Sequence, residues 1–117
     1  MTMKRLNNDV IGIDQGDVIL FSDFEDDGPM WKGEGPRAAR RGITFSEAFT
    51  DTPVVSLQFS MIDMSNDAYI RADLHADHVT ETGFDIVFRT WGDTRVARIR
   101  VAWQAIGSLA SEDNWDV

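Results

Sequence analysis

Apolar and polar residues alternate with a period of two along most of this chain, the mark of strands that bury one face. In "PVVSLQFSMIDM" the residues Val55, Leu57, Phe59 and Met61 alternate with Ser56, Gln58 and Ser60. In "AYIRADLHADHV" Ile70, Ala72, Leu74 and Ala76 face one way, and Tyr69, Arg71, Asp73 and His75 face the other. Phe84, Ile86 and Phe88 then oppose Asp85, Val87, Arg89 and Trp91. Ala97, Ile99, Val101, Trp103 and Ala105 oppose Val96, Arg98, Arg100 and Gln104. Two earlier strands are predicted, "GDVILFSDF" around 16–24 and "GITFSEAF" around 42–49.

Turn signals separate these runs at "TDTP", "SND", "TETG" and "WGDT", the last read as a hairpin turn. No helical stripe longer than a turn or two and no internal repeat interrupts the pattern. It predicts an all-β fold, a six-stranded antiparallel β-sandwich, as one domain over 16–107. Residues 1–15 read as an N-terminal arm and 108–117 as an acidic C-terminal tail, in which Trp115 is a docking candidate. Residues 25–41, "EDDGPMWKGEGPRAARR", read as a long loop of the kind that usually carries function.

Composition narrows the chemistry. With 43% apolar residues, four Trp and seven Phe in 117 residues, a real core is within reach. The net charge of −9 repels phosphate backbones and argues against nucleic acid as a partner. There is no Cys, so disulfides, thiol catalysis and Cys-zinc sites are excluded, and two His are too few for a His-rich metal centre. No metal or other cofactor is expected. The first 21 residues lack the apolar core of a signal peptide, and no run approaches the ~20 apolar residues of a membrane span. A soluble chain without membrane insertion is expected, cytoplasmic unless it acts at a particle or cell surface.

Five of the eleven basic residues, Arg71, Arg89, Arg95, Arg98 and Arg100, fall on the last three strands and their turns. One reading makes Arg71, Asp73, Arg89, Trp91, Arg98 and Arg100 a solvated face with cross-strand ion pairs. The other makes it, with Val87, Val96 and Ala102, a subunit interface. Trp91 at the lip of a turn likewise either packs over the strand ends or forms the aromatic plate of a sugar site, beside Arg71 and an acid from the 25–35 loop. The acidic runs "DFEDDG" and "SEDNWDV" lack calcium-loop spacing and read as solvated. No G-x-S-x-G or phosphate-loop context occurs, so the chain is expected not to be an enzyme.

The order and spacing of several markers resemble the H-type lectin domain family over about Gly16 to Gly107. They are Phe45, Phe49 and Pro53 in an F-x-x-x-F-x-x-x-P run, Thr82-Gly83-Phe84, Thr90-Trp91, and Trp103 on the last strand. The resemblance implies a sandwich that assembles as a trimer, sometimes a hexamer, and binds N-acetylgalactosamine or galactose-like sugars between subunits without a metal. It assigns sugar contact to Arg71 and stacking to Trp91. The family's snail lectin has a His after this Trp, where Gly92 stands here, so that hydrogen bond is absent or comes from Asp93. The family's acid contact falls on Glu34, with Arg37 as a further candidate. The expected role is adhesion to cell-surface glycan or capsular polysaccharide, or else a trimerising spike of a larger particle with a degenerate site.

Overall fold

Most of the inward residues predicted by alternation form one core, with Ile70 and Ala72 exposed instead, and the chain reaches that core by a different route at three places. In the computed structural model, which describes residues 1–7 and 9–111, the elements run β1 (Ile11–Ser22), α1 (Pro29–Lys32), β2 (Arg37–Thr44), β3 (Val54–Met64), β4 (Asp73–Asp77), β5 (Gly83–Thr90) and β6 (Val96–Ser108). Two antiparallel three-stranded sheets result, ordered β1-β6-β3 and β2-β5-β4. Between them Ile86, Phe88, Val96, Ile99, Val101 and Ala105 are fully buried. Each buried Ile, Val or Phe side chain contributes about 1.5–3 kcal/mol.

The end of the sandwich near the start of β5 is sealed by aromatic rings. Phe84 lies edge-on to Trp103 at 5.5 Å, and Phe45 packs on Phe49, Phe84 and Trp103 at 5.1, 5.7 and 6.0 Å. Gly83 is required here by space, because a Cβ would collide with the Ile43 carbonyl oxygen on the paired strand.

The first difference is in β2. The strand expected at 42–49 lies at Arg37–Thr44. Phe45 and Phe49 are both buried, while Glu47 between them is exposed. They sit in a loop held by Phe45 N–H on the Thr82 carbonyl and Phe49 N–H on the Glu81 carbonyl, both 2.9 Å. Asp14 caps that loop by accepting from Ser46 N (2.7 Å) and Ser46 Oγ (2.9 Å). The presumed 25–41 loop is therefore shorter, and contains the one-turn helix α1.

The second difference is at the start of β1, which begins at Ile11, so residues 11–15 of the segment read as an arm pair with β6. At the other terminus Ser108 still belongs to β6 and Leu109 packs on the core. Trp115 lies outside the described residues.

The third concerns faces. β5 and β6 belong to opposite sheets, so "WGDT" is an arch between sheets and not a hairpin. Arg89 and Asp73 lie on the outer side of one sheet, and Arg98 and Arg100 on that of the other. Val96 is core and Ala102 lies with Arg100, so the single polar face read from the sequence divides in two. Tyr69 and Ile70 are exposed in the loop before β4 and not part of a strand.

One outer face is tied across strands by Arg40, which donates to Asp85 (2.9 Å) and Asp77 (3.1 Å). Asp77 is held below the usual carboxylate range chiefly by the hydrogen bond from Arg40, and Asp85 by hydrogen bonds from His78 and then Arg40. Depressed carboxylates stabilise the fold above their ordinary range, near pH ~4, and that contribution fades as pH falls through the depressed values. Arg40→Gln is therefore expected to lower the melting temperature slightly at neutral pH, with the gap from wild type closing by about pH 2. A gap that widens in acid would contradict this arrangement. Gly83→Ala is expected to destabilise by about 1–3 kcal/mol in urea unfolding, because its obstacle is backbone.

Candidate functional site

All three loops at the far end of the sandwich meet around the arch. They are 23–36 between β1 and β2, 65–72 between β3 and β4, and 91–95 between β5 and β6. Two buried threonines, Thr90 at the end of β5 and Thr94 in the arch, stitch the second loop down. Thr90 Oγ1 donates to the Arg71 carbonyl (2.6 Å), Thr94 Oγ1 donates to the Tyr69 carbonyl (2.5 Å), and Arg71 N donates to Thr94 Oγ1 (3.1 Å). The first loop is fixed by Arg37. Its Nε donates to the Gly35 carbonyl (2.9 Å). One Nη donates to Pro29 and Met30 carbonyls (3.2 and 3.1 Å), and the other to Gly92 and Thr94 carbonyls (3.3 and 2.7 Å). Five donors meet five acceptors, the full capacity of a guanidinium. Burial lowers its pKa, opposed by the nearby Glu34 carboxylate.

Trp91 stands on this mount with 45% of its surface exposed. The Gly92 carbonyl beside it accepts from both Gly35 N (2.9 Å) and Arg37. An exposed aromatic ring with its backbone bolted on both sides loses little freedom when a ligand lands on it. Next to the ring is an open depression of about 500 Å³ lined by Pro36, Arg37, Ala38, Ala72, Asp73, Arg89, Thr90 and Trp91. Ala38, Arg89 and Asp73 are register neighbours across β2, β5 and β4. The Asp73 carboxylate is 3.8 Å from Arg89 and 3.5 Å from His75, and His75 lies 3.4 Å from Arg89. The depression therefore offers an aromatic plate, an apolar floor and one acceptor–donor pair.

The site residues named from sequence are divided by this geometry. Arg71, Gly92 and Asp93 come together: Arg71 Nη1 pairs with Asp93 Oδ1 at 2.7 Å, and its guanidinium lies over the Tyr69 ring at 5.2 Å. Gly92 has φ +68°, and a Cβ there would meet Arg71 Nη1 at 3.0 Å. A side chain at 92 would thus be strained and would press on Arg71, which is the physical reason for glycine after this Trp. Asp93 lines a separate shallow depression with Asn66, Asp67, Ala68 and Tyr69. Glu34 is exposed and lines neither depression. Arg37 contributes a wall and no free donor. The sequence reading had placed Asp73 and Arg89 on one face, but the Pro36, Ala38 and Ala72 floor escaped it. The available signal was "PRAA", legible only once β2 is known to start at Arg37. Among the described residues no His, Asp and Glu cluster is arranged to hold a metal ion.

Arg37→Ala is expected to destabilise the fold by about 2–3 kcal/mol, since carbonyls lose a charged donor. Trp91→Ala, which removes an exposed ring, should shift stability by less than about 1 kcal/mol. Paired urea melts check this, and equal losses would mean that Trp91 is a packing residue.

Comparison with known proteins bears on the family and the fold. A model of the H-type lectin domain matches residues 40–106, which span Arg71 and Trp91. The protein called ATP synthase subunits region ORF 7 of Fuscovulum blasticum is 50% identical over 115 residues, covering 98% of this chain and 99% of that protein. Discoidin-2 of Dictyostelium discoideum is 29% identical over 75 residues, 63% of this chain and 29% of that protein. The solved structure of discoidin II of Dictyostelium discoideum superposes with a TM-score of 0.73 at 22% identity, covering 90% of this chain and 40% of that one. The chain thus spans less than half of the discoidins, and the superposition is a likeness of fold.

Proposed function

This chain belongs to the H-type lectin domain family, and we propose that it binds N-acetylgalactosamine or galactose-like sugars in the depression beside Trp91. The observation that carries this reading is the exposed, rigidly mounted Trp91 ring above the Pro36–Ala38–Ala72 floor, with Asp73 and Arg89 at its side. A pyranose presents an apolar C–H face to a ring and vicinal hydroxyls to a carboxylate and a guanidinium. Arg71 and Asp93 form a second polar pair at the edge of the arch, and a neighbouring subunit's Glu34 is the acid that would complete the rim. The protein acts by binding without chemistry and needs no metal.

One shallow sugar site gives affinities near millimolar, about −4 kcal/mol. Several sites on one particle raise avidity by ~10²–10⁴ against a repeating glycan. A trimer, alone or paired as a hexamer, supplies them. It is supported by the outer face of the β1-β6-β3 sheet, where Ile13 (62% exposed), Ile106 and Val54 (52% exposed) form one apolar row across three strands. The resulting particle would serve adhesion to, or recognition of, cell-surface glycan or capsular polysaccharide, acting outside the cell or on a particle surface. No helix among the described residues is long and apolar enough to cross a membrane.

A second reading is a trimerising spike whose sugar site has decayed. Gly92, with Arg71 already engaged by Asp93, favours it. A glycan array probed with the sized oligomer and its Trp91→Ala counterpart separates the two. Binding to galactose-type glycans that disappears with Trp91 is the expected result. A folded trimer that binds no glycan would leave the spike.

A further inference from the structure

The loop that carries α1 holds a second aromatic pair that the Trp91 site does not use. Trp31 sits on the single helical turn, and Phe24 lies edge-on to it at 5.1 Å with 55% of its own surface exposed. Arg95 covers one side of the Trp31 ring at 4.7 Å and donates from Nε to the Trp31 carbonyl (3.1 Å). The mount is as firm as that of Trp91. Asp23 Oδ2 accepts from Met30 N (2.9 Å), Met30 is buried, and Arg37 holds the Pro29 and Met30 carbonyls. Asp23 N and Phe24 N both donate to the Ala97 carbonyl, which pins the loop to β6.

Beside these rings lies an open depression of about 360 Å³ lined by Phe24, Glu25, Trp31, Asp63, Met64, Ala97 and Arg98. Met64 and Ala97 give it an apolar floor. Arg98 donates from Nε (3.0 Å) and Nη2 (2.9 Å) to the same oxygen of Asp63, Oδ2. Arg98 Nη1 and Asp63 Oδ1 therefore have no hydrogen-bond partner among the described residues, and both groups are nearly half exposed. Glu25 adds an exposed carboxylate. An exposed phenyl plate, an apolar floor, a guanidinium Nη1 donor and carboxylate acceptors suit a ring with one apolar face and vicinal hydroxyls. Two carboxylates against one guanidinium, on a chain of net charge −9, disfavour sulfated or carboxylated sugars.

We propose that the Phe24–Trp31 depression is a second sugar-ring site, specific for neutral pyranoses, on the other side of the sandwich from the Trp91 depression. It rests on the lectin reading of the Trp91 site. The two plates share their supports at one end of the sandwich and open on its opposite outer faces, Asp73 and Arg89 on one and Asp63 and Arg98 on the other. Arg37 clamps both α1 and the arch, and Arg95 runs from the arch to Trp31. Each therefore takes a ring of its own, and one domain presents two points of attachment to a repeating glycan.

The four Trp give four indole N–H signals in a ¹⁵N–¹H spectrum, which makes the two sites separately visible. The probes are N-acetylgalactosamine, galactose and a linear galactotetraose, titrated into wild type, Phe24→Ala, Arg98→Gln and Trp91→Ala. The tetrasaccharide is expected to move both the Trp91 and the Trp31 signals. Phe24→Ala and Arg98→Gln should each remove the Trp31 shift and leave the Trp91 shift. Trp91→Ala should keep the Trp31 shift. A tetrasaccharide that moves Trp91 alone overturns the second site and leaves the lectin reading standing, as does a Trp31 shift that survives both variants. If no probe moves either ring, the lectin reading fails and takes this site with it.

Discussion

Five backbone carbonyls converge on the guanidinium of Arg37, and the candidate site is organised around that convergence. Loops at the end of a small sandwich have few apolar contacts of their own to fix them. A guanidinium presents its donors in a rigid plane, so the carbonyls of Pro29, Met30, Gly35, Gly92 and Thr94 must take fixed positions to meet it. The consequence is that α1, the β2 entry and the arch behave as one body. Thr90 and Thr94 extend that body to the 69–71 segment. Aromatic rings can then stand exposed without the loops collapsing onto them.

The arch is the second constraint. Because β5 and β6 leave each other at Trp91 and enter opposite sheets, the chain must bend sharply there, and Gly92 takes a left-handed conformation to allow it. The same crossing separates the arginines into two groups. One outer face carries Arg40, Arg89, Asp73, Asp77 and Asp85 in cross-strand pairs. The other carries Arg98 and Arg100, paired with Asp63 and Asp17, beside the apolar row of Ile13, Ile106 and Val54.

Much of the architecture could be read from alternation, because all six strands pack one face on a shared core and a period of two survives along most of their length. The misplacement of β2 has a specific cause. Phe45 and Phe49 are apolar enough to look like strand residues, yet their role is to close the sandwich end from a loop. The true strand, "RAARRGIT", carries arginines that look like loop residues. Trp91, Arg71, Gly92 and Asp93 could be named from their order along the chain, and they do gather at the arch. What linear order cannot encode is which side chains are spent. Arg37 and Arg71 have the same chemistry in the sequence, but the first is saturated by carbonyls and the second pairs with Asp93 and lies over the Tyr69 ring at the surface. Asp73 and Arg89 reach the Trp91 depression through sheet register, a long-range property.

The central claim is that Trp91 is exposed because a sugar ring covers it. A crystal structure of the protein soaked with N-acetylgalactosamine tests that directly. The account predicts a pyranose lying flat on Trp91, with hydroxyls within hydrogen-bond reach of Asp73 or Arg89. A lattice in which Trp91 is buried against a neighbouring subunit, with no room for a ring and no sugar bound there, would contradict it.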